Sequence, residues 1–246
     1  MKKFTALSLT LVFFSTIGTS QAQIKVPSIL KQIPTSKNAQ PSIDEIGAGI
    51  KEALLNGITK STTSLSAENG FLNNPWVKIP FPPEAEKAEK TLRRLGFNDM
   101  CDNVVSSLNH AAEDATKEAL PIFMAALKQM SFKDASNLLL SKEKDAATQF
   151  FKTATSAQLT EKFRPIIQMS LDKTGATKYW AAATTQHNKI PMVAKINTDL
   201  NDYATRQALT GLFMQIGVEE AKMRENSSYR TSPLLQKVFN YADKSK

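Results

Sequence analysis

The chain has 246 residues, 31 basic and 23 acidic side chains, a formal net charge of +8 and one cysteine. A single cysteine excludes an intrachain disulfide and leaves too few ligands for a typical structural zinc site, so stability must come from packing. The positive excess is modest and not interleaved with aromatic residues, which argues against a nucleic-acid groove.

Lys2 and Lys3 precede an uncharged stretch, Phe4 to Ile17, rich in Leu, Val and Phe. Gly18-Thr19-Ser20-Gln21-Ala22 follows, with small residues before a cut after Ala22. This is the three-part plan of a secretory signal peptide. Its apolar stretch falls short of the roughly 20 residues that span a bilayer. The expected organisation is a signal peptide over 1–22, a flexible lead-in over 23–41, and one helical domain over 42–242.

The domain opens on Ser42-Ile43-Asp44-Glu45, a capping box in which hydroxyl and carboxylate each satisfy a free N–H of the first turn. Ile46, Ile50, Ala53, Leu54, Gly57 and Ile58 recur at helical spacing, so the first helix runs to about Ser66. Gly70 to Pro83 breaks the pattern with four prolines. Its apolar residues, Phe71, Trp76, Val77, Ile79 and Phe81, predict an extended loop or short strand pinned to the helical body. Such a segment is either a functional loop or a plain structural strap. Asn73, Asn74 and Trp76 are its candidate ligand or partner residues.

A short charged helix is expected from Glu84 to Leu95, stopped by Gly96. Asn98 or Asp99 is expected to cap the next, which carries Met100, Val104, Leu108, Ala111, Ala112 and Ala115. Pro121 kinks it or starts a new segment through Met130. Ser131 to Asp134 opens another short helix, with Leu138, Leu139 and Leu140 on its buried side. Separate helices are expected over 143–155 and 156–173, the second interrupted at Pro165 and ended near Gly175. Thr177 to Asn188 carries Tyr179 and Trp180. A proline-containing connection, 190–197, leads to a long helix from about Asp199 to Asn226, and Pro233 to Ala242 closes the chain. No run alternates in the manner of a strand. The fold class is all-α, a single compact multi-helix domain with one long buried helix in its C-terminal half and a proline-rich extended loop.

That long helix is apolar nearly all round between Leu209 and Val218, which places it in the centre of the fold. Gly211 and Gly217 lower helix propensity, so they are expected to mark close approaches of a neighbour. Asp202 with Arg206, and Glu220 with Arg224, are favourably oriented i,i+4 pairs on roughly one angular strip. They form either a polar site beside a buried helix or two salt bridges where a core helix reaches solvent. Arg230 joins them as a candidate. From Lys222 onward there are six basic and two acidic residues. That balance suits an anionic surface or an ordinary helix C-terminus.

The common catalytic constellations are missing. Neither His110 nor His187 belongs to a two-His, one-Glu metalloprotease pattern. There is no Gly-x-Ser-x-Gly elbow. Gly57-Ile58-Thr59-Lys60-Ser61 lacks the second glycine of a phosphate loop, and Gly47-Ala48-Gly49 lacks the third of a dinucleotide fingerprint. The neighbouring carboxylates Glu113-Asp114 and Glu219-Glu220 diverge by about 100° on a helix. Cys101 and His110, nine residues apart, fall on opposite helix faces, while Cys101 with His187 stays open. Cys101 otherwise reads as a small buried residue. No catalytic residue, metal site or cofactor is expected.

Several short blocks carry a family resemblance. They begin with Phe71-Leu72-Asn73-Asn74-Pro75, Lys78-Ile79-Pro80, Glu86 to Lys90 and Arg93-Arg94-Leu95-Gly96. Pro121-Ile122-Phe123, Lys128-Gln129-Met130, Asp145 to Thr148 and Phe163-Arg164-Pro165 follow. Asp202-Tyr203, Gly211-Leu212-Phe213, Glu219-Glu220, Arg224, Arg230-Thr231-Ser232 and Lys237-Val238-Phe239 complete the series. In this order they are similar to the bacterial domain-of-unknown-function family numbered 4197, over about Ile46 to Phe239. The resemblance implies a single exported domain of Gram-negative bacteria, hence a periplasmic location. It implies no activity and supplies no functional residues.

The leading expectation is a non-enzymatic periplasmic binding or interaction module. One alternative is an envelope hydrolase with a site of dispersed carboxylates, Arg224, Arg230, Asn73 and Asn74. Another is a peripheral membrane protein using the basic C-terminus. The partners in view are a small apolar ligand, an envelope protein or an anionic membrane surface.

Overall fold

In the computed structural model, residues 40–189, 191–192 and 195–245 are described, apart from the side chains of Ala182, Ala183, Gln186 and His187. The expected signal peptide and nearly all of the lead-in lie outside them. Ser42 caps α1 (Ile43–Ser66) through the expected box: its hydroxyl accepts the Glu45 N–H at 3.2 Å while its own N–H reaches the Glu45 carboxylate at 2.8 Å. Residues 67–82 then run without helix or strand. A 3-10 turn (Pro83–Ala85) leads into α2 (Glu86–Arg94). The remaining helices are α3 (Asn98–Thr116), α4 (Ala119–Gln129), α5 (Phe132–Leu140), α6 (Ala146–Lys173), α7 (Ala176–Asn188), α8 (Leu200–Glu225) and α9 (Pro233–Lys244). Among the described residues there is no strand, and no helix is long and apolar enough to cross a membrane.

α6 and α8 pack along one another, and α3 lies against both. α1 packs on α8, with α4, α5 and α9 also against it, while α7 rests mainly on α6. The core is aromatic at its centre: Phe123 meets Phe151 edge-on at 5.6 Å and Phe213 at 6.0 Å. α8 is central, as its apolar middle predicts, and exposes only Met214 and Val218 among its large apolar side chains. α2 differs from the rest. It leans on α3 and buries none of its residues fully.

Four local expectations change. Residues 146–173 form one helix of 28 residues that runs through Pro165. The proline removes one N–H, but Phe163 and Ile167 on either side are fully buried, and that packing outweighs the lost hydrogen bond. Neither Asn98 nor Asp99 caps α3: Asn98 is already helical, and its predecessor Phe97 makes no side-chain cap. Phe97 instead closes α2, donating its N–H to Leu92 while Gly96 donates to Arg93. Gly96 has φ +90°, the left-handed turn this closure needs. The break near Pro121 comes earlier, after Thr116, which puts Pro121 in the first turn of α4, where its missing N–H has no intrahelical partner to lose. Leu138 and Leu139 are buried but Leu140 is exposed, since it projects 200° away from Leu138.

Candidate functional site

The proline-rich segment is held by α3. Glu113, 4% exposed, accepts the backbone N–H groups of Asn69, Phe71 and Leu72 at 3.1–3.3 Å and pairs with His110 Nδ1 at 2.8 Å. Asn109, one turn earlier, accepts the Ile79 N–H and donates back to the Ile79 carbonyl, both at 2.8 Å. Tyr203 of α8 donates its hydroxyl to the Pro80 carbonyl at 3.1 Å. Gly211 lets the strap lie close on α8, because a Cβ there would come within 2.8 Å of the Phe71 ring and 3.1 Å of Val77. These contacts aim the last aromatic of the strap, Phe81, edge-on at Trp180 of α7, with ring centroids 5.6 Å apart.

Beyond that aromatic pair lies a cavity of about 340 Å³ between α2, α3 and α7. α2 and the turn before it supply Ala85, Ala88 and Leu92. α3 supplies Met100, Cys101 and Val104, and α7 supplies Tyr179, Trp180 and Thr184. Ile196, just before α8, completes the wall. Most polar atoms here are spent internally: Trp180 Nε1 donates to the Asn197 carbonyl at 3.1 Å, and Thr184 donates to the Trp180 carbonyl at 2.7 Å. No charged side chain lines the cavity. Burial pushes the Cys101 thiol up from its ordinary value, which makes it a poor nucleophile. The volume lies at the low end of the range for small-molecule pockets. The arrangement can hold apolar matter and has no base, oxyanion donor or metal set. Among the described residues no group of three His, Cys, Asp or Glu is placed for a metal ion.

The residues singled out from the sequence lie elsewhere and form no single site: Asp202 sits with Arg206, Glu220 with Arg224 and Arg230, and Asn73, Asn74 and Trp76 on the strap. Asp202 and Arg206 pair at 3.0 Å near the start of α8, and Arg164 of α6 joins Asp202 at 3.3 Å and Asp199 at 3.1 Å. Glu220 and Arg224 pair at 2.8 Å five turns further along α8 and are nearly buried. The Glu220 carboxylate also accepts the N–H groups of Ala147 and Thr148 at 3.0 and 2.8 Å, and the Thr148 hydroxyl at 2.8 Å. It therefore neutralises the N-terminus of α6. Arg224 donates on to the Leu138 carbonyl at 2.9 Å. Arg230, 4% exposed, donates to the Met223 and Arg224 carbonyls at the end of α8 and reaches Asp243 at 2.7 Å. Asn74 Oδ1 accepts the Trp76 N–H at 3.1 Å, and Asn73 is exposed. Trp76 is 80% exposed at the tip of the strap.

The basic C-terminal run is largely engaged as well. Of its six cations, Lys222 pairs with Glu219, Arg224 with Glu220, Arg230 with Asp243 and Lys237 with Glu45. A polar groove borders this end, where the nearly buried Glu219 bridges Lys60 at 2.8 Å and Lys222 at 2.7 Å. Both ammonium groups lie over the Tyr229 ring, at 4.8 and 5.8 Å.

Sequence reasoning passed over the cavity residues. A signal was present in α2: Ala85, Ala88, Leu92 and Leu95 fall on one face of an otherwise charged helix. Asn109 and Glu113, polar positions inside the apolar face of α3, also pointed at the strap they hold.

Fold and cavity together define an all-α protein with an apolar cavity at the side of its helical body, bounded by a weakly packed helix. The chain belongs to the family described as "Protein of unknown function (DUF4197)", whose model matches residues 40–240. No curated protein and no solved structure matches it.

Proposed function

We propose that the protein is an exported, non-enzymatic binding module that holds a small uncharged apolar molecule, or one apolar chain of a larger one, between α2, α3 and α7. The cavity carries this reading: it is apolar, and its tryptophan and threonine polar atoms are already hydrogen-bonded within the protein. A charged ligand would lose its hydration there with nothing to replace it. An apolar ligand gains roughly 25 cal/mol per Å² of surface removed from water. The secretory signal pattern of residues 1–22 supports a periplasmic setting.

Titration of the mature chain, residues 23–246, with the uncharged fluorophore N-phenyl-1-naphthylamine tests the reading. Saturable fluorescence enhancement is expected. Ala88→Trp, at a solvent-open position of the wall, fills the cavity and is expected to weaken it at least tenfold. Absence of saturation, or indifference to Ala88→Trp, overturns the reading.

A further inference from the structure

We infer that the cavity-bearing end of the fold docks on an anionic lipid bilayer, presenting the cavity mouth to acyl chains. The docking part stands alone; only the delivery of a chain rests on the binding function proposed above. Large apolar side chains crowd this end in the open. Leu95 and Phe97, in the turn joining α2 to α3, are 67% and 50% exposed, and Tyr179 of α7 is 68% exposed. Met100 and Tyr179 line both the main cavity and a second one of about 270 Å³ beside it. Met192 is fully exposed in the connection that also supplies Ile196 to the wall. Apolar side chains gathered around an apolar mouth mark a surface that is covered in use.

The charge at this end chooses the partner. From Lys173 to Thr198 the chain carries four lysines, Lys173, Lys178, Lys189 and Lys195, and no carboxylate. All four are exposed. The carboxylates that follow, Asp199 and Asp202, are taken up by Arg164 and Arg206. Lys178, Lys189 and Lys195 have no carboxylate partner among the described residues. The α2 side is balanced, with Arg93 held by Glu89 at 2.8 Å and by Asp102 at 2.8 Å. Attraction therefore comes from the α7 side and insertion from Leu95, Phe97 and Met100. Phenylalanine, leucine and tyrosine beside lysines are the composition of a bilayer-interface surface, where lysine stems lie along the apolar boundary and their ammonium groups meet lipid phosphates. A protein partner would have to match both the apolar knuckle and the lysines that lack carboxylates, of which Lys195 donates only to the Asn188 carbonyl, whereas an anionic bilayer matches them without specific shape.

Co-sedimentation of the mature chain with phosphatidylglycerol–phosphatidylcholine vesicles, against phosphatidylcholine vesicles alone, tests the inference. Binding is expected only with phosphatidylglycerol, and added salt should weaken it. Lys178→Gln and Lys189→Gln should each lower the partition coefficient roughly fivefold. Leu95→Ser with Phe97→Ser should remove the salt-resistant part. All four positions are exposed, so unchanged thermal melting is expected and confirms an intact fold. Equal binding to both vesicle types, no binding, or lysine variants that bind as the parent does overturns docking. So does finding that the Leu95→Ser, Phe97→Ser variant loses only self-association, which would assign the knuckle to a second copy. N-phenyl-1-naphthylamine titration of the same proteins separates the two claims: fluorophore binding without vesicle binding sinks docking alone, and the reverse sinks the cavity reading alone.

Discussion

Asn109 and Ile79 exchange two hydrogen bonds of 2.8 Å, side-chain amide against backbone, in a site closed to water. The amide acts as the neighbouring strand that an isolated extended segment lacks. With Glu113 one turn along α3, it converts a proline-rich stretch into a fixed wall element and sets where Phe81 meets Trp180.

Asn109→Leu leaves the Ile79 N–H and carbonyl buried and unpaired. The expected loss is about 2–4 kcal/mol in urea denaturation, since each such group costs about 1–3 kcal/mol. Fluorophore affinity should fall with it, because Phe81 loses its anchor. A loss under about 0.5 kcal/mol would mean that the strap is held by its apolar contacts alone.

Glu220 and Arg224 should behave as a coupled unit. Removing one member of a buried pair costs about 3–5 kcal/mol because the other is left uncompensated. Glu220→Gln keeps one acceptor for the α6 N-terminus, so a smaller loss of about 2–3 kcal/mol is expected. Arg224→Met in the Glu220→Gln background should restore part of it. Additive losses in the double-mutant cycle would show that the pair is not the source of the effect.

Acid should act through Glu219. Burial pushes its carboxyl up, but hydrogen bonds and charge from Lys222 and Lys60 outweigh that and hold it below its ordinary value. A carboxyl depressed on folding contributes stability above its unfolded pKa and loses it as pH falls through the folded one. The loss from this group therefore begins near pH 5 and grows below about pH 4. Lys60→Met removes one of the two cations and should flatten the stability profile between about pH 5 and pH 3. Parallel profiles for parent and variant would exclude the pair as a contributor.

Two alanine substitutions on α8 should have opposite signs. Both gain up to about 1 kcal/mol of helix propensity. Gly211→Ala drives a Cβ to 2.8 Å from Phe71 and 3.1 Å from Val77, an overpacking that costs about 1–3 kcal/mol. Gly217→Ala meets Thr148 at an ordinary 3.6 Å. Thermal melting should place the first variant below the parent and the second above it.

The helix pattern was legible because it rests on local physics. The capping box at Ser42, the start of a helix at Ser131, the Gly96 stop and the apolar period of α1 and α8 need only neighbours in sequence. Pro165 was misread for the same reason: a proline lowers local helix propensity, and only the burial of Phe163 and Ile167 in a tertiary core shows what offsets it. The paired charges of α8 form as their spacing predicts, yet they lie five turns apart, so one angular strip does not make one site.

What the sequence determined by itself is the all-α class, the order of the helices, the pinned character of the strap and the family. These follow from periodicity, turn chemistry and a series of short blocks. The tertiary structure alone decided the cavity. Phe81, Leu92, Cys101 and Trp180 are scattered over a hundred residues, and each reads as an ordinary core position. They become a site only because α2 leans on α3 without burying its own residues and leaves between them and α7 a space that no side chain fills. Such a gap is a property of how helices meet, which no local pattern encodes.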